Sequence, residues 1–363
     1  MIEIDGSLGE GGGQMLRTAL SLSCLLGKPF RMYNIRKGRE RPGLAPQHLV
    51  AVRAAQCLGR AEVSGDEKGS TEISFSPRGV TGGDFEFDIG TAGSTSLVIQ
   101  TLIPSLLFGR AKGRVTLTGG THVPFSPSFH YLAGVFAPFL RRLGAELRLE
   151  IESYGFYPRG GGRIWAETTP FGEMIPLRAV KRGELVRLDG ISAVGNLPLS
   201  IAERQKNALL ETLLPEVRHR NMPVRIDIQR VPGPGQGTFA FIRGEFADSV
   251  AGFTSLGARG KRAEAVGEEA AREFLAYHET KGALDPHLAD QVVLYLALCA
   301  EESVFTTSCI TRHLLTNLWV IGMFREFRYR IDGELGGAGA VMINPAEPEK
   351  QNSGGAGRAV NVP

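Results

Sequence analysis

A histidine at the mouth of an apolar helical pattern is the first residue in this chain with chemistry to offer. His313 stands beside Arg312, ahead of Leu314, Leu315, Leu318 and Val320, with Asn317 one turn on. A neutral imidazole has an ordinary pKa of about 6.5, so it is an available nucleophile near neutral pH without a strong base to activate it. A structural histidine would have the same spacing. The second stretch runs from Asp5 to Arg17, Asp-Gly-Ser-Leu-Gly-Glu-Gly-Gly-Gly-Gln-Met-Leu-Arg, between a strand start and an amphipathic run. Its glycines leave backbone N–H groups uncovered at the positive end of a helix, which suits a phosphate. Glu10 could hold a divalent cation there, and Arg17 could face the same anion. A tight turn that only lets strand and helix pack is the plainer alternative. The third stretch, Asp285 to Gln291, opens with an N-cap aspartate and a first-turn proline. That start sets His287, Asp290 and Gln291 in or beside the first turn of a helix.

Missing motifs narrow the chemistry further. The chain has no GxxxxGK[ST] loop, no full GxGxxG, no HExxH and no GxSxG. It also lacks Lys-x-Asp-Gly, so a lysine that accepts a nucleotide in the common ligase manner has no candidate. A phosphate-handling enzyme built from this sequence needs another nucleophile, which raises His313.

These residues sit in a chain of 363 residues, long enough for two domains, with 42% hydrophobic content to fill their cores. Its 47 glycines are scattered in pairs and triplets and mark turns, not a collagen repeat. A net charge of +3 does not by itself announce a nucleic-acid partner. The densest basic patch is local, Arg36-Lys37-Gly-Arg39-Glu-Arg41. Cys24, Cys57, Cys299 and Cys309 form no CxxC pair and read as reduced packing residues. With no signal-peptide core at the start and no apolar run long enough to span a bilayer, the expectation is a soluble cytoplasmic protein without a membrane partner.

The elements that must position the candidates repeat. Helical patterns at 13–26 and from Pro46 to Leu58, with strands at Pro29–Arg36, Ala61–Ser64 and Ser70–Ser76, form one unit. The pattern recurs as helix Thr91–Leu107, strand Arg114–Thr118, helix Pro127–Leu143 and strands Glu146–Glu152 and Arg163–Thr169. A third copy runs from Pro286 through strand Ser303–Thr307 and helix Arg312–Phe327 to strand Arg328–Asp332. Residues 181–281 break the pattern with their own strands and helices. The fold class is therefore α/β (α+β): three repeated βαβα-type units form a large domain, residues 1–180 and 282–335, with one smaller inserted α/β domain at 181–281. The Gly-rich tail, 336–363, is expected to be flexible, without order past Ile343. If the units share an axis, the starts of their first and second helices face one cleft. The large domain is expected to form that cleft alone, with Phe253 or its neighbours reaching over it.

With these residues collected, the chain resembles the RNA 3′-terminal phosphate cyclases. The likeness rests on six ordered stretches: Asp5 to Gln14, Arg39-Glu-Arg-Pro-Gly-Leu, Gly93-Ser-Thr-Ser-Leu-Val-Ile-Gln100, Gly155-Phe-Tyr-Pro-Arg-Gly-Gly-Gly162, His287-Leu-Ala-Asp-Gln291 and His313-Leu-Leu-Thr-Asn317. The resemblance implies a large domain of three repeats with one inserted domain. It implies ATP-dependent conversion of an RNA 3′-phosphate to a 2′,3′-cyclic phosphodiester, with release of AMP and pyrophosphate. It makes His313 the residue that accepts the adenylate. It gives ATP binding to Gln100 and to His287, Leu288, Ala289, Asp290 and Gln291, with Pro127 and Tyr131 lining the adenine pocket. It sets Gln14, Arg17 and Arg39 about the phosphates and RNA, and Glu10 at a metal, Mg²⁺ or Mn²⁺. The approach Cys309-Ile-Thr-Arg and the Gly-rich tail depart from the family pattern. A catalytically silent relative that binds RNA in ribosome assembly is the alternative within the fold, but such relatives lack the nucleophilic histidine. A carbon–oxygen transferase like the enolpyruvyl transferases gives His313 no role.

Overall fold

The protein is described by a computed structural model that covers residues 1–9, 11–217 and 222–345. The chain builds one four-stranded sheet three times over. In the first unit β1 (Ile2–Asp5), α1 (Gly13–Leu26), β2 (Phe30–Tyr33), α2 (Pro46–Gly59), β3 (Glu62–Ser64) and β4 (Ile73–Ser76) give the strand order β1-β2-β4-β3. The second unit has β5 (Gly83–Asp88), α3 (Thr95–Leu107) and β6 (Gly113–Gly119), then a helical stretch of α4 (Phe129–Tyr131), a π turn at Leu132–Phe136 and α5 (Ala137–Arg142). It closes with β7 (Glu146–Ser153) and β8 (Gly162–Thr169), in the order β5-β6-β8-β7.

The two-residue strand β9 (Arg178–Ala179) opens the third unit, and the chain then leaves it. It forms β10 (Leu185–Gly195), α6 (Leu199–Val217), β11 (Val224–Arg230), β12 (Gly237–Phe246), β13 (Val250–Leu256) and α7 (Ala263–Glu279). It returns as α8 (Pro286–Leu296), β14 (Ser303–Thr307), α9 (Arg312–Phe324), β15 (Phe327–Asp332) and β16 (Gly339–Pro345), and the sheet order is β15-β16-β14-β9. In each unit the first two strands pair in parallel and the other pairs are antiparallel. Parallel neighbours need a crossover, and the first helix of each unit supplies it.

Three features differ from the sequence reading. Each unit begins with a strand, so the repeat is β-α-β-α-β-β; β9 is only two residues long, while β5 alternates as Asp84-Phe85-Glu86-Phe87-Asp88 and was passed over. The inserted segment does not lie between units two and three but inside unit three, between its first strand and first helix. The Gly-rich segment is not all flexible: Gly339–Pro345 is β16, hydrogen-bonded to β14 on one side and β15 on the other. Val341 and Ile343, 0% and 1% exposed, anchor it in the core. The rest of the expected tail, 346–363, lies outside the described residues.

Helix starts follow their caps. The second unit's first helix begins at Thr95, not Thr91, because Ser94 accepts the Leu97 N–H at 3.2 Å and the preceding residues form a turn. Likewise Ser128 accepts the Tyr131 N–H, so the next helix starts at Phe129 after Pro127. The π turn that follows frees the Gly134 carbonyl, which accepts a hydrogen bond from Arg243 Nε on β12 at 2.8 Å. Buried apolar side chains form one large cluster across the three units and a smaller one inside the inserted block. In the large cluster α1 packs against α2, α3 and α9, and α9 against α8. The helix starts of all three units are thereby drawn together.

Candidate active site

All six helix starts of the three units border one cleft of about 770 Å³. From the first unit come Gly12, Gly13, Gln14 and Arg17 at the start of α1, and Arg36, Arg39, Gln47 and His48 before and within α2. The second unit contributes Gln100 on α3, residues 125–128 before α4, and Tyr131 on α4. The third contributes His287, Asp290 and Gln291 on α8, and His313 and Asn317 on α9. The inserted block adds Gly252, Phe253 and Thr254 from β13 and Glu273 from α7. The cleft is therefore not formed by the large domain alone.

His313 occupies the second position of α9, two residues after the N-cap Thr311, whose hydroxyl accepts the Leu314 N–H at 2.9 Å. The same hydroxyl donates to Asp290 Oδ1 on α8. Asn317 Nδ2 donates to the Asp290 carbonyl at 2.6 Å, and its Oδ1 accepts from the Thr18 hydroxyl on α1 at 2.8 Å. One chain of polar contacts thus ties three helices at the point where His313 emerges. Burial pushes the Asp290 carboxyl up to about 6, against the Thr311 hydrogen bond and the nearby His313 and His287, which favour its ionised form. A carboxylate held between its two states beside an imidazole at a positive helix end can balance charge that develops on that ring.

On the opposite wall His48 is 4% exposed, and its Nδ1 accepts the Ala45 N–H at 3.1 Å. Burial, with Arg17 and Arg36 adding repulsion, drives its pKa down to about 3. His48 is thus neutral and carries its proton on Nε2, a donor without charge at the start of α1. A Cβ on Gly13 would stand 2.2 Å from that Nε2, so only glycine lets the ring and the first turn of α1 approach so closely. Gln47 Oε1 accepts the Ser94 N–H at 3.1 Å and joins the second helix of unit one to the first helix of unit two.

The floor is deeper and less polar. Tyr131 donates to Asp285 Oδ1 at 2.9 Å, and that oxygen also caps α8 by accepting the Leu288 N–H. The Tyr131 ring meets His287 edge-on, centroids 6.1 Å apart. Ser128 and Thr254 hydroxyls are 2.8 Å apart and hold the inserted block against this wall. Gln100 Nε2 and Gln291 Oε1 are buried, border the cleft and find no hydrogen-bond partner in the described protein. An amide donor and an amide acceptor so placed are open to a polar ligand or to water.

The expected site residues divide three ways. Gln14, Arg17, Arg39, Gln100, Pro127, Tyr131, His287, Asp290, Gln291 and His313 converge on the cleft. Leu288 and Ala289 do not, because both are 0% exposed and face the core. The helical period turns them away while His287, Asp290 and Gln291 face in. Glu10 lies outside the described residues. Among the described residues no group of three or more His, Cys, Asp or Glu could hold a metal ion. A divalent ion here would draw most of its ligands from phosphate and water, as Mg²⁺ commonly does.

Residues 8–331 match the family profile described as RNA 3′-terminal phosphate cyclase. The chain belongs to this family. It is 44% identical over 328 residues to the RNA 3′-terminal phosphate cyclase of Pyrobaculum aerophilum, covering 90% of this chain and 94% of that protein. The protein of that name from Ignicoccus hospitalis is 45% identical over 343 residues, covering 92% and 96%. The one from Nostoc punctiforme is 40% identical over 339 residues, covering 92% and 96%. Among solved structures, the enolpyruvyl transferase NikO from Streptomyces tendae overlays with a TM-score of 0.36 at 10% identity, covering 96% of this chain and 49% of that one. A likeness that slight decides nothing.

For this cyclase-family chain, sequence reasoning missed Gln47 and His48, Thr18, and the α7 contribution, whereas Phe253 on β13 reaches the cleft as expected. His48 follows Pro46 at the start of α2, just past the basic loop, and that position was the one available signal.

Proposed function

We propose that this chain converts RNA 3′-phosphate ends to 2′,3′-cyclic phosphodiesters, using ATP and a covalent His313–AMP intermediate. The observation that carries the reading is the convergence of His313 with Gln14, Arg17, Arg39 and His48 of the first unit in one cleft. A ring nitrogen of neutral His313 attacks the α-phosphorus of ATP; the N–P bond forms, the bond to the bridging oxygen breaks, and pyrophosphate leaves. Asp290 balances the charge on the ring. An oxygen of the RNA 3′-phosphate then attacks the same phosphorus and displaces His313, giving an RNA-adenylate. The vicinal 2′-hydroxyl attacks the RNA phosphorus, loses its proton, and AMP departs as the ring closes. Arg17, Arg39, Gln14 and the Nε2–H of His48 hold the phosphate oxygens on which charge gathers. Mg²⁺ or Mn²⁺ arriving with the triphosphate would neutralise part of that charge, with Glu10 as its protein ligand. Tyr131, Pro127 and His287 form the base-binding end, and Gln100 and Gln291 supply its polar contacts.

ATP labelled at the α-phosphate, given with Mg²⁺ or Mn²⁺ and no RNA, tests the reading. Label should stay on the denatured protein, be labile to acid and stable to alkali as a phosphoramidate is, and be absent from His313→Ala. RNA bearing a 3′-phosphate should discharge it and gain a cyclic end, whereas a 3′-hydroxyl RNA should not be cyclised. No label on folded, ATP-binding protein would overturn the enzyme reading and favour the silent RNA-binding one. Label that survives in His313→Ala would move the nucleophile elsewhere.

A further inference from the structure

Phe125 is the most conspicuous residue that the proposed mechanism does not use. It is 102% exposed and borders the cleft, and it has a φ of +60°, a backbone region that bulky side chains seldom occupy. Strained backbone positions of this kind cluster at ligand-binding and functional sites. Its base is fixed on both sides. Ser126 Oγ donates to the Val123 carbonyl at 3.0 Å, closing the turn beneath it, and Ser128 is tied to Thr254 of the inserted block. The ring projects at the cleft mouth from a fixed turn.

We infer that Phe125 is a stacking platform for a nucleobase at the 3′ end of the RNA substrate, an assignment that rests on the cyclase reading above. An adenine of ATP is the poorer occupant, since a small-molecule site buries most of its ligand and this ring stands in solvent. RNA, by contrast, must leave the cleft through its mouth while its terminal phosphate reaches His313. The basic loop supplies the complement: Arg36 and Arg39 border the same cleft, and Lys37 and Arg41 are exposed beside them. A cationic track for the backbone together with an aromatic face for a base is how proteins hold single-stranded nucleic acid irrespective of sequence.

The test compares Phe125→Ala, Phe125→Leu and Phe125→Trp in the full chain. Loss of the ring should raise KM for a short 3′-phosphate RNA roughly tenfold with little change in kcat. Tryptophan should restore the wild-type value and leucine should not. Labelling of the protein from α-labelled ATP without RNA should be unchanged in all three. The alanine penalty should vanish when the last or next-to-last nucleotide is abasic. Added RNA should also quench the fluorescence of Phe125→Trp more than that of wild type, a readout that stands even if no label or cyclisation is found. An unchanged RNA KM, a penalty that persists with both abasic RNAs, or no extra quenching overturns the platform. A raised KM for ATP alone moves Phe125 to the adenine end and overturns it too. Absence of label and cyclisation in wild type would instead sink the cyclase reading.

Discussion

Two regions of this molecule bury titratable side chains, and they do so in opposite ways. In the cleft, Asp290 is held by Thr311, its own carbonyl by Asn317, and Asn317 by Thr18, while His313 opens to the cavity. At the seam between the second unit and the inserted block, His122 is 2% exposed and stacked on Phe239 with centroids 4.2 Å apart. Its neighbour His130 meets Phe239 and Phe241, and its Nε2 lies 3.1 Å from the Tyr154 hydroxyl. Burial lowers the pKa of both histidines, that of His130 to about 4. A shifted pKa alone therefore separates nothing. What separates the regions is access: the seam histidines pack as flat rings between two sheets, whereas the cleft groups are linked to one another and face open volume.

The contrast is broken most directly by paired substitutions. His313→Ala should lower the cyclisation rate by at least about a thousandfold, the scale for loss of a nucleophile. His122→Phe should leave that rate within about threefold and change stability by roughly 1 kcal/mol or less, because it removes one hydrogen bond with Thr121 but also a buried Nε2 that has no partner. Equal losses in both variants would erase the distinction.

Next in size are the arginines. Arg17→Ala and Arg39→Ala should each slow cyclisation at least roughly tenfold, for charge-assisted contacts worth about 1.5–3 kcal/mol, and lysine should rescue poorly because the planar fork is lost. Wild-type rates in both alanine variants would remove them from the site.

A further effect is read in the pH dependence of stability. Asp290 has its carboxyl raised to about 6 in the fold, so the folded state holds this proton more tightly than the unfolded chain does. Its contribution is full at low pH and is lost as pH rises through about 6, a cost of roughly 3 kcal/mol at neutral pH. Asp290→Asn should thus be more stable than wild type at pH 7, with the difference gone near pH 4. His48, His122 and His130 act with the opposite sign. Held neutral, they stabilise the fold above about pH 6.5, and that contribution falls away in acid as the unfolded chain takes up protons. Denaturant midpoints across pH 4–8 separate the two.

Much of this was legible in the sequence where local chemistry was loud. The long amphipathic helices, the strand Ser303–Thr307 and the recurrence of the unit all follow from period and caps. Three of the strands that escaped were quiet for physical reasons. β9 is two residues long, and β16 opens on glycine and owes its place to partners on both sides. β13, Val-Ala-Gly-Phe-Thr-Ser-Leu, lacks alternation because Val250, Ala251, Gly252 and Phe253 are all buried. In the site, Arg17, Arg39, Asp290 and His313 were legible from their own charge or imidazole, and Gln100, Pro127 and Tyr131 through the family resemblance. His48 was not, because its meaning lies in a backbone N–H three residues back and in a glycine of another helix.

The place where the chain leaves unit three also sets the order in which the molecule can be finished. β9 is made before the inserted block, yet its partner β14 comes after it, with Val304 beside Arg178. Units one and two can close on the ribosome as soon as their own strands emerge. The third sheet must wait until the whole insert has been synthesised, and its second strand is sandwiched only when β16, the last strand described, arrives. Pairings this remote in sequence form slowly, and domains close as units during synthesis. Asp290 and His313 both belong to that last unit. A nascent chain therefore completes the wall that carries Arg17 and His48 long before the wall that carries Asp290 and His313, which is assembled last.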